Sequence, residues 1–129
     1  MSFSLRVVQS VNEGTTTVSN TSDVACQAVV KLEEAVLTSD AARQIVVGLD
    51  VSALKVFSIV SDKAMTVQAY DASDVQVGTD LALAANSLIV WQEGDTSLDI
   101  LAGNDVSYLT VSAAPAEDAV LKVLAGLDS

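Results

Sequence analysis

The 129-residue chain has no histidine, one cysteine and one proline, and half of its residues are hydrophobic. It therefore lacks most of the side chains that run acid–base, nucleophilic and metal chemistry at neutral pH. Its 17 acidic and 6 basic residues give a formal net charge of −11, and Arg6, Lys31, Arg43, Lys55, Lys63 and Lys122 stand singly, so the clustered cations that neutralise phosphates are missing and neither nucleic acid nor a membrane is an expected partner.

In chain order, the first pattern is period-two alternation: Leu5, Val7, Gln9 and Val11 oppose Ser4, Arg6, Val8 and Ser10, which predicts a strand with one buried face. Ser22–Val36 supports two readings. Ala25, Ala28, Val29, Leu32, Ala35 and Val36 fall at helical spacing behind a capping Ser22 or Asp23, so one short helix near residues 22–36 stands beside a strand as an expectation. Strands are expected at Gln44–Val47, Leu54–Val60, Met65–Tyr70, Leu81–Ala84, Ser87–Gln92, Val106–Ser112 and Ala119–Leu124. Turns are expected at Val77-Gly78-Thr79-Asp80, Glu93-Gly94-Asp95 and Ala102-Gly103-Asn104-Asp105. A second helical pattern covers Ala114–Val123, but Val120–Leu124 alternates and ends at Gly126, so the strand is preferred.

Many short strands at this spacing predict an all-β, single-domain β-sandwich over residues 1–129, jelly-roll-like in type. A chain of this length buries about two-thirds of its unfolded surface and folds without staples. The lone Cys26 forms no internal disulfide, and the start Met-Ser-Phe-Ser-Leu-Arg has no apolar signal core, so synthesis in a reducing cytoplasm is expected. The longest apolar runs, such as Ala28–Val30 and Ser87–Trp91, fall well short of the ~20 residues that cross a bilayer.

The residues argue against an enzyme. Without histidine there is no conventional triad and no imidazole metal site. Cys26 lies among Ala25, Ala28, Val29 and Val30, which reads as a small core residue and not as a reactive thiol. Glycosidase chemistry needs two carboxylates across a cleft; adjacent Glu33 and Glu34 point to opposite faces of a strand, and Trp91, Tyr70, Tyr108, Phe3 and Phe57 are too dispersed along the chain to announce a sugar groove. Asp95, Asp99, Asn104 and Asp105 have the oxygen atoms calcium takes, but their spacing is not that of an EF-hand and polar turns explain them. No cofactor, catalytic residue or metal ligand is assigned.

The succession Asp50-Val-Ser-Ala-Leu-Lys55-Val-Phe-Ser-Ile-Val-Ser61-Asp62-Lys-Ala-Met-Thr66-Val, Leu81-Ala-Leu, Ser87-Leu-Ile-Val-Trp91, Asp105-Val-Ser-Tyr108-Leu-Thr110-Val and Ala119-Val-Leu-Lys-Val-Leu resembles that of small β-sandwich virion proteins of tailed bacteriophages. The resemblance covers residues 45–125; the first forty residues lie outside it, and an Asn-rich loop of the family is here Tyr70-Asp71-Ala-Ser-Asp74. It implies a capsid cement or decoration protein on the outer surface of the virion, with the major capsid protein and itself, as a homotrimer, for partners. A tail or fibre receptor-binding or adhesion module is the alternative. A carboxylate-type enzyme is the third reading, and would show two carboxylates in one cleft with pKa values pushed apart.

Overall fold

A computed structural model describes residues 3–101 and 103–128. Ten strands follow one another: β1 (Phe3–Glu13), β2 (Thr16–Cys26), β3 (Ala28–Val36), β4 (Gln44–Leu49), β5 (Leu54–Ser61), β6 (Met65–Tyr70), β7 (Gln76–Leu83), β8 (Ile89–Gln92), β9 (Val106–Ala113) and β10 (Ala119–Leu127). Two short 3-10 turns, Val51–Ala53 and Asp99–Leu101, interrupt them. The body is two four-stranded sheets ordered β3-β10-β5-β8 and β4-β9-β6-β7, and all the strand pairs are antiparallel. Within the body the first strand lies beside the last, and successive strands alternate between sheets up to β6. This is the double Greek key of a jelly roll.

Alternation builds the core. On β4 the residues Ile45, Val47 and Leu49 are buried and their neighbours exposed, and β6 buries Met65, Val67 and Ala69 in the same way. These meet Phe57 and Ile59 of β5 and Leu121, Val123 and Ala125 of β10 from the facing sheet, each large aliphatic contributing about 1.5–3 kcal/mol by leaving water. Ser61, the buried polar residue among them, is satisfied locally: its Oγ donates to the Lys63 carbonyl at 2.6 Å and accepts the Lys63 N–H at 3.2 Å.

The segment 22–36 holds no helix, which corrects the helical option. Its residues complete β2 and form β3, with Gln27 as a corner whose N–H donates to the Leu127 carbonyl at 2.8 Å. The expected turn at Val77–Asp80 is also corrected, because these residues lie inside β7. Gly78, at φ +71°, makes a bulge where the pairing moves from Val67–Leu81 to Ala69–Val77. Strand β10 runs through Gly126 to Leu127 and does not end before it. Glu93–Gly94 form a turn, and of the expected turn at 102–105, Ala102 lies outside the described residues.

Two sheet edges carry visible protection. Edge strand β3 has its Ala35 carbonyl occupied by the Arg43 guanidinium, which also pairs with Glu34 at 2.7 Å and Asp40 at 3.0 Å. On β7 the bulge at Gly78 breaks the flat edge.

Candidate functional site

Strands β1 and β2 stand apart from the sandwich as a two-stranded sheet of eleven residue pairs, from Phe3–Cys26 to Glu13–Thr16. They are joined by the two-residue turn Gly14-Thr15, with Gly14 at φ +57°, as a tight hairpin turn requires at its first central position. The base of this hairpin rests on the outer face of the β3-β10-β5-β8 sheet. A Cβ placed on Gly126 would lie 2.8 Å from Leu5 Cδ1, 2.9 Å from Cys26 Sγ and 3.1 Å from Val56 Cγ1, so Gly126 permits the close seat. Ser22 Oγ donates to Gln92 Oε1 at 3.3 Å. The hairpin thus crosses from β10 towards the edge strand β8 and covers Val56, while its own Cys26 is buried against the sheet, both residues lying outside the main core.

Beyond Val7 and Ser22 the hairpin leaves the body. Every residue from Val8 to Thr21 is exposed, and the six pairs Val8–Thr21 to Glu13–Thr16 extend about 20 Å at ~3.4 Å per residue. Val11 and Val18, directly opposite each other, are 72 % and 70 % exposed. Glu13 is the sole charged residue between Val8 and Thr21, in a chain of net charge −11. Nearer the base, Arg6 Nε donates to Asp23 Oδ1 at 2.8 Å, and this hydrogen bond holds the Asp23 carboxyl below its ordinary range.

Alongside β1 an apolar groove runs between hairpin and sheet, lined by Leu5, Val7 and Val8 on one side and by Val56, Val90 and Leu124 on the other, among others. Exposed Leu88 completes its rim. Four of the six basic residues pair with acids: Arg6 with Asp23, Arg43 with Glu34 and Asp40, Lys55 with Glu93, and Lys63 with Glu117. The fold therefore gathers no basic patch from them.

The opposite face of the molecule carries a second feature that sequence reading missed. Tyr70 and Tyr108 are 38 positions apart but are register partners on β6 and β9, and their rings stack with centroids 5.3 Å apart and planes 7° from parallel. Tyr70 Oη donates to Gln68 Oε1 at 3.0 Å and Tyr108 Oη to Asp74 Oδ1 at 2.8 Å. Trp91 and Phe57 are buried, and the side chain of Phe3 lies outside the description. The two tyrosines, dispersed in sequence, are thus paired in space by the strand register.

The bond to Asp74 and loss of solvent raise the Tyr108 phenol to about 12. A raised folded-state pKa means that this hydrogen bond contributes fully below the ordinary value of 10.0 and is lost as pH climbs through about 12. In an absorbance titration at 295 nm, Tyr108 is expected to ionise near pH 12 in the wild type. The Asp74→Ala variant should return it towards 10; an unchanged curve would sink the assignment.

The acidic residues once weighed for calcium serve the turns. Asp95 Oδ1 accepts the Ser97 N–H at 2.8 Å, Asp105 Oδ1 the Val51 N–H at 3.0 Å, and Asp99 Oδ2 the Thr79 hydroxyl at 2.9 Å. Among the described residues, no three carboxylate or thiol side chains converge in a way that could hold a metal ion. Glu33 and Glu34 do face opposite ways, Glu33 to solvent and Glu34 to Arg43, and Cys26 is buried as expected of a packing residue. No family model, curated protein or solved structure matches the chain.

Proposed function

We propose that this chain is a non-catalytic structural protein of a phage virion, a cement or decoration protein that binds the outer surface of the major capsid shell and stabilises it. The observation that carries the reading is the pairing of a jelly-roll body with a hairpin arm that projects about 20 Å and carries Glu13 as its sole charged residue. Such an arm offers main-chain hydrogen bonds and alternate side chains to a neighbouring surface, which is how strand addition binds. The acidic excess keeps many crowded copies soluble and mutually repelling everywhere except along that arm. Each copy then contributes a modest contact, and the symmetry of the shell multiplies it through effective concentration. Fold alone does not carry this step, since jelly rolls serve many functions; the arm and the resemblance over residues 45–125 support it together. Synthesis in the host cytoplasm and residence on the virion surface follow from the same reading.

A tail or fibre receptor-binding module is the second reading, and the stacked Tyr70–Tyr108 pair favours it, because aromatic side chains on a sheet face are what sugar and protein receptors grip. The test is co-sedimentation with the major shell protein of the same genome, followed by quantitative mass spectrometry of the shell band. A fixed ratio to shell subunits is the expected result. Recovery with tail components, or free at the top of the gradient, overturns the cement reading.

A further inference from the structure

An isolated two-stranded ribbon is only marginally stable in water, yet the outer half of this hairpin packs on nothing within its own chain. The geometry of β1 says what would complete it. In a hairpin with a two-residue turn, the flanking pair Glu13–Thr16 exchanges both of its hydrogen bonds, and the pattern alternates from there. Ser4, Arg6, Val8, Ser10 and Asn12 therefore turn their N–H and C=O groups away from β2, towards the free edge. From Val8 to Asn12 that edge has none of the devices that discourage pairing: no proline, no bulge and no charged side chain. The same edge borders the groove lined by Leu5, Val7, Val8, Val56, Val90 and Leu124, so a strand added to β1 would lie directly over exposed apolar surface.

We infer that the chain forms a two-fold dimer in which the β1 edge of one copy pairs antiparallel with the β1 edge of a second copy, each seating its Val11 in the groove of the other. This rests on the reading of the arm as an assembly element. The register centred on Val8 satisfies the hydrogen-bond parity, because Val8 opposes Val8 and Arg6 opposes Ser10 as bonded pairs. It also brings Val11, 72 % exposed in one chain, opposite Leu5 at the groove. Residues 5, 7, 9 and 11 share one side of the ribbon, so Leu5, Val7 and Val11 of both arms face the same way.

Three arguments select a second copy over a different protein. Bodies of net charge −11 repel one another, and this edge is where the surface is nearly uncharged, Arg6 being neutralised by Asp23 at 2.8 Å. The chain presents both halves of the contact, the alternating apolar strand and the slot that takes it, on one continuous edge. A contact of an edge with itself closes after two copies, leaving no open edge on β1. The outcome differs from the homotrimer implied by the family resemblance.

The experiment is sedimentation velocity with light scattering on the full chain at micromolar concentration, with two proline variants. Ser10 and Ser19 are direct partners, so both point their N–H groups outward, one from β1 and the other from β2. Proline is tolerated at such positions within one hairpin but cannot donate to an added strand. The wild type is expected at twice the 13.3 kDa chain mass, S10P at the single-chain mass, and S19P as a dimer. Amide exchange gives a readout that needs no variant: the Val8, Ser10 and Asn12 N–H groups, outward in one chain, should be protected in the wild type. A wild type of one or three chain masses, rapid exchange at those amides, or S10P and S19P behaving alike overturns the dimer. A dimer that leaves shells bare would instead overturn the cement reading and leave the pairing intact.

Discussion

Replacing Gly78 with alanine is expected to destabilise the protein by about 3 kcal/mol and to lower its melting temperature by on the order of 10 °C. Two costs add. Gly78 sits at φ +71°, where an L side chain is strained by about 1–2 kcal/mol. Its missing Cβ would lie 2.7 Å from Ile100 N and 2.8 Å from Asp99 C and Ile100 Cα. These are backbone atoms that cannot swing aside, so the 3-10 turn must shift, and it holds buried Ile100 and Leu101 in the core. Gly48 separates the two costs, since its φ is +58° but nothing lies within 4 Å of its would-be Cβ. Gly48→Ala should therefore lose only the backbone term of about 1–2 kcal/mol. Urea denaturation of both variants checks the difference, and equal midpoints would show that the bulge does not press on the turn.

Gly126→Val is expected to lift the base of the hairpin from the sheet. The atoms in the way are the ends of the Leu5, Cys26 and Val56 side chains, 2.8–3.1 Å from an ideal Cβ. A single methyl could be absorbed by small rotations, whereas the two further methyls of valine enter space that Leu5 and Cys26 already fill. Cys26 is the single cysteine of the chain and 2 % exposed at the base of the arm. Its reaction with a thiol reagent therefore reports docking directly. Wild-type protein should label only through rare opening, and Gly126→Val should label at least tenfold faster with its global unfolding midpoint little changed. Equal labelling rates would mean that the arm base holds without the Gly126 seat.

The body was legible where one face of a strand is buried, because alternation then repeats cleanly, as along Met65–Tyr70 and Val120–Leu124. Strand β2 was not, since Thr16–Thr21 is solvated on both faces and Val18 is its only apolar residue, so no face imprints a period. Ser22–Val36 imitated a helix because the chain turns a corner at Gln27. Of the residues at helical spacing only Leu32 and Val36 face the core of the sandwich, whereas Ala25, Ala28, Val29 and Ala35 are exposed on either side of the corner, so exposed apolar residues completed a period that no buried face imposes. In β7 the bulge needs glycine at positive φ, and the same residue reads as a turn in sequence. The candidate site was still less visible. An exposed Val11 and a buried Val67 are alike in one dimension, and the Tyr70–Tyr108 stack depends on a strand register that no local pattern encodes.

The single-residue corner at Gln27 also fixes how the molecule bears load. The covalent path from the arm to the body runs through that corner into β3, an edge strand bonded on one side only, to β10, so a pull that lifts the arm base from the sheet is carried there. Because the arm crosses the strands of that sheet, the pull meets the β3–β10 hydrogen bonds one after another, starting at Ala28–Leu127, and peels them in sequence. Under tension the arm and its edge strand are expected to act as a mechanical fuse, detaching before the seven strands behind them are strained.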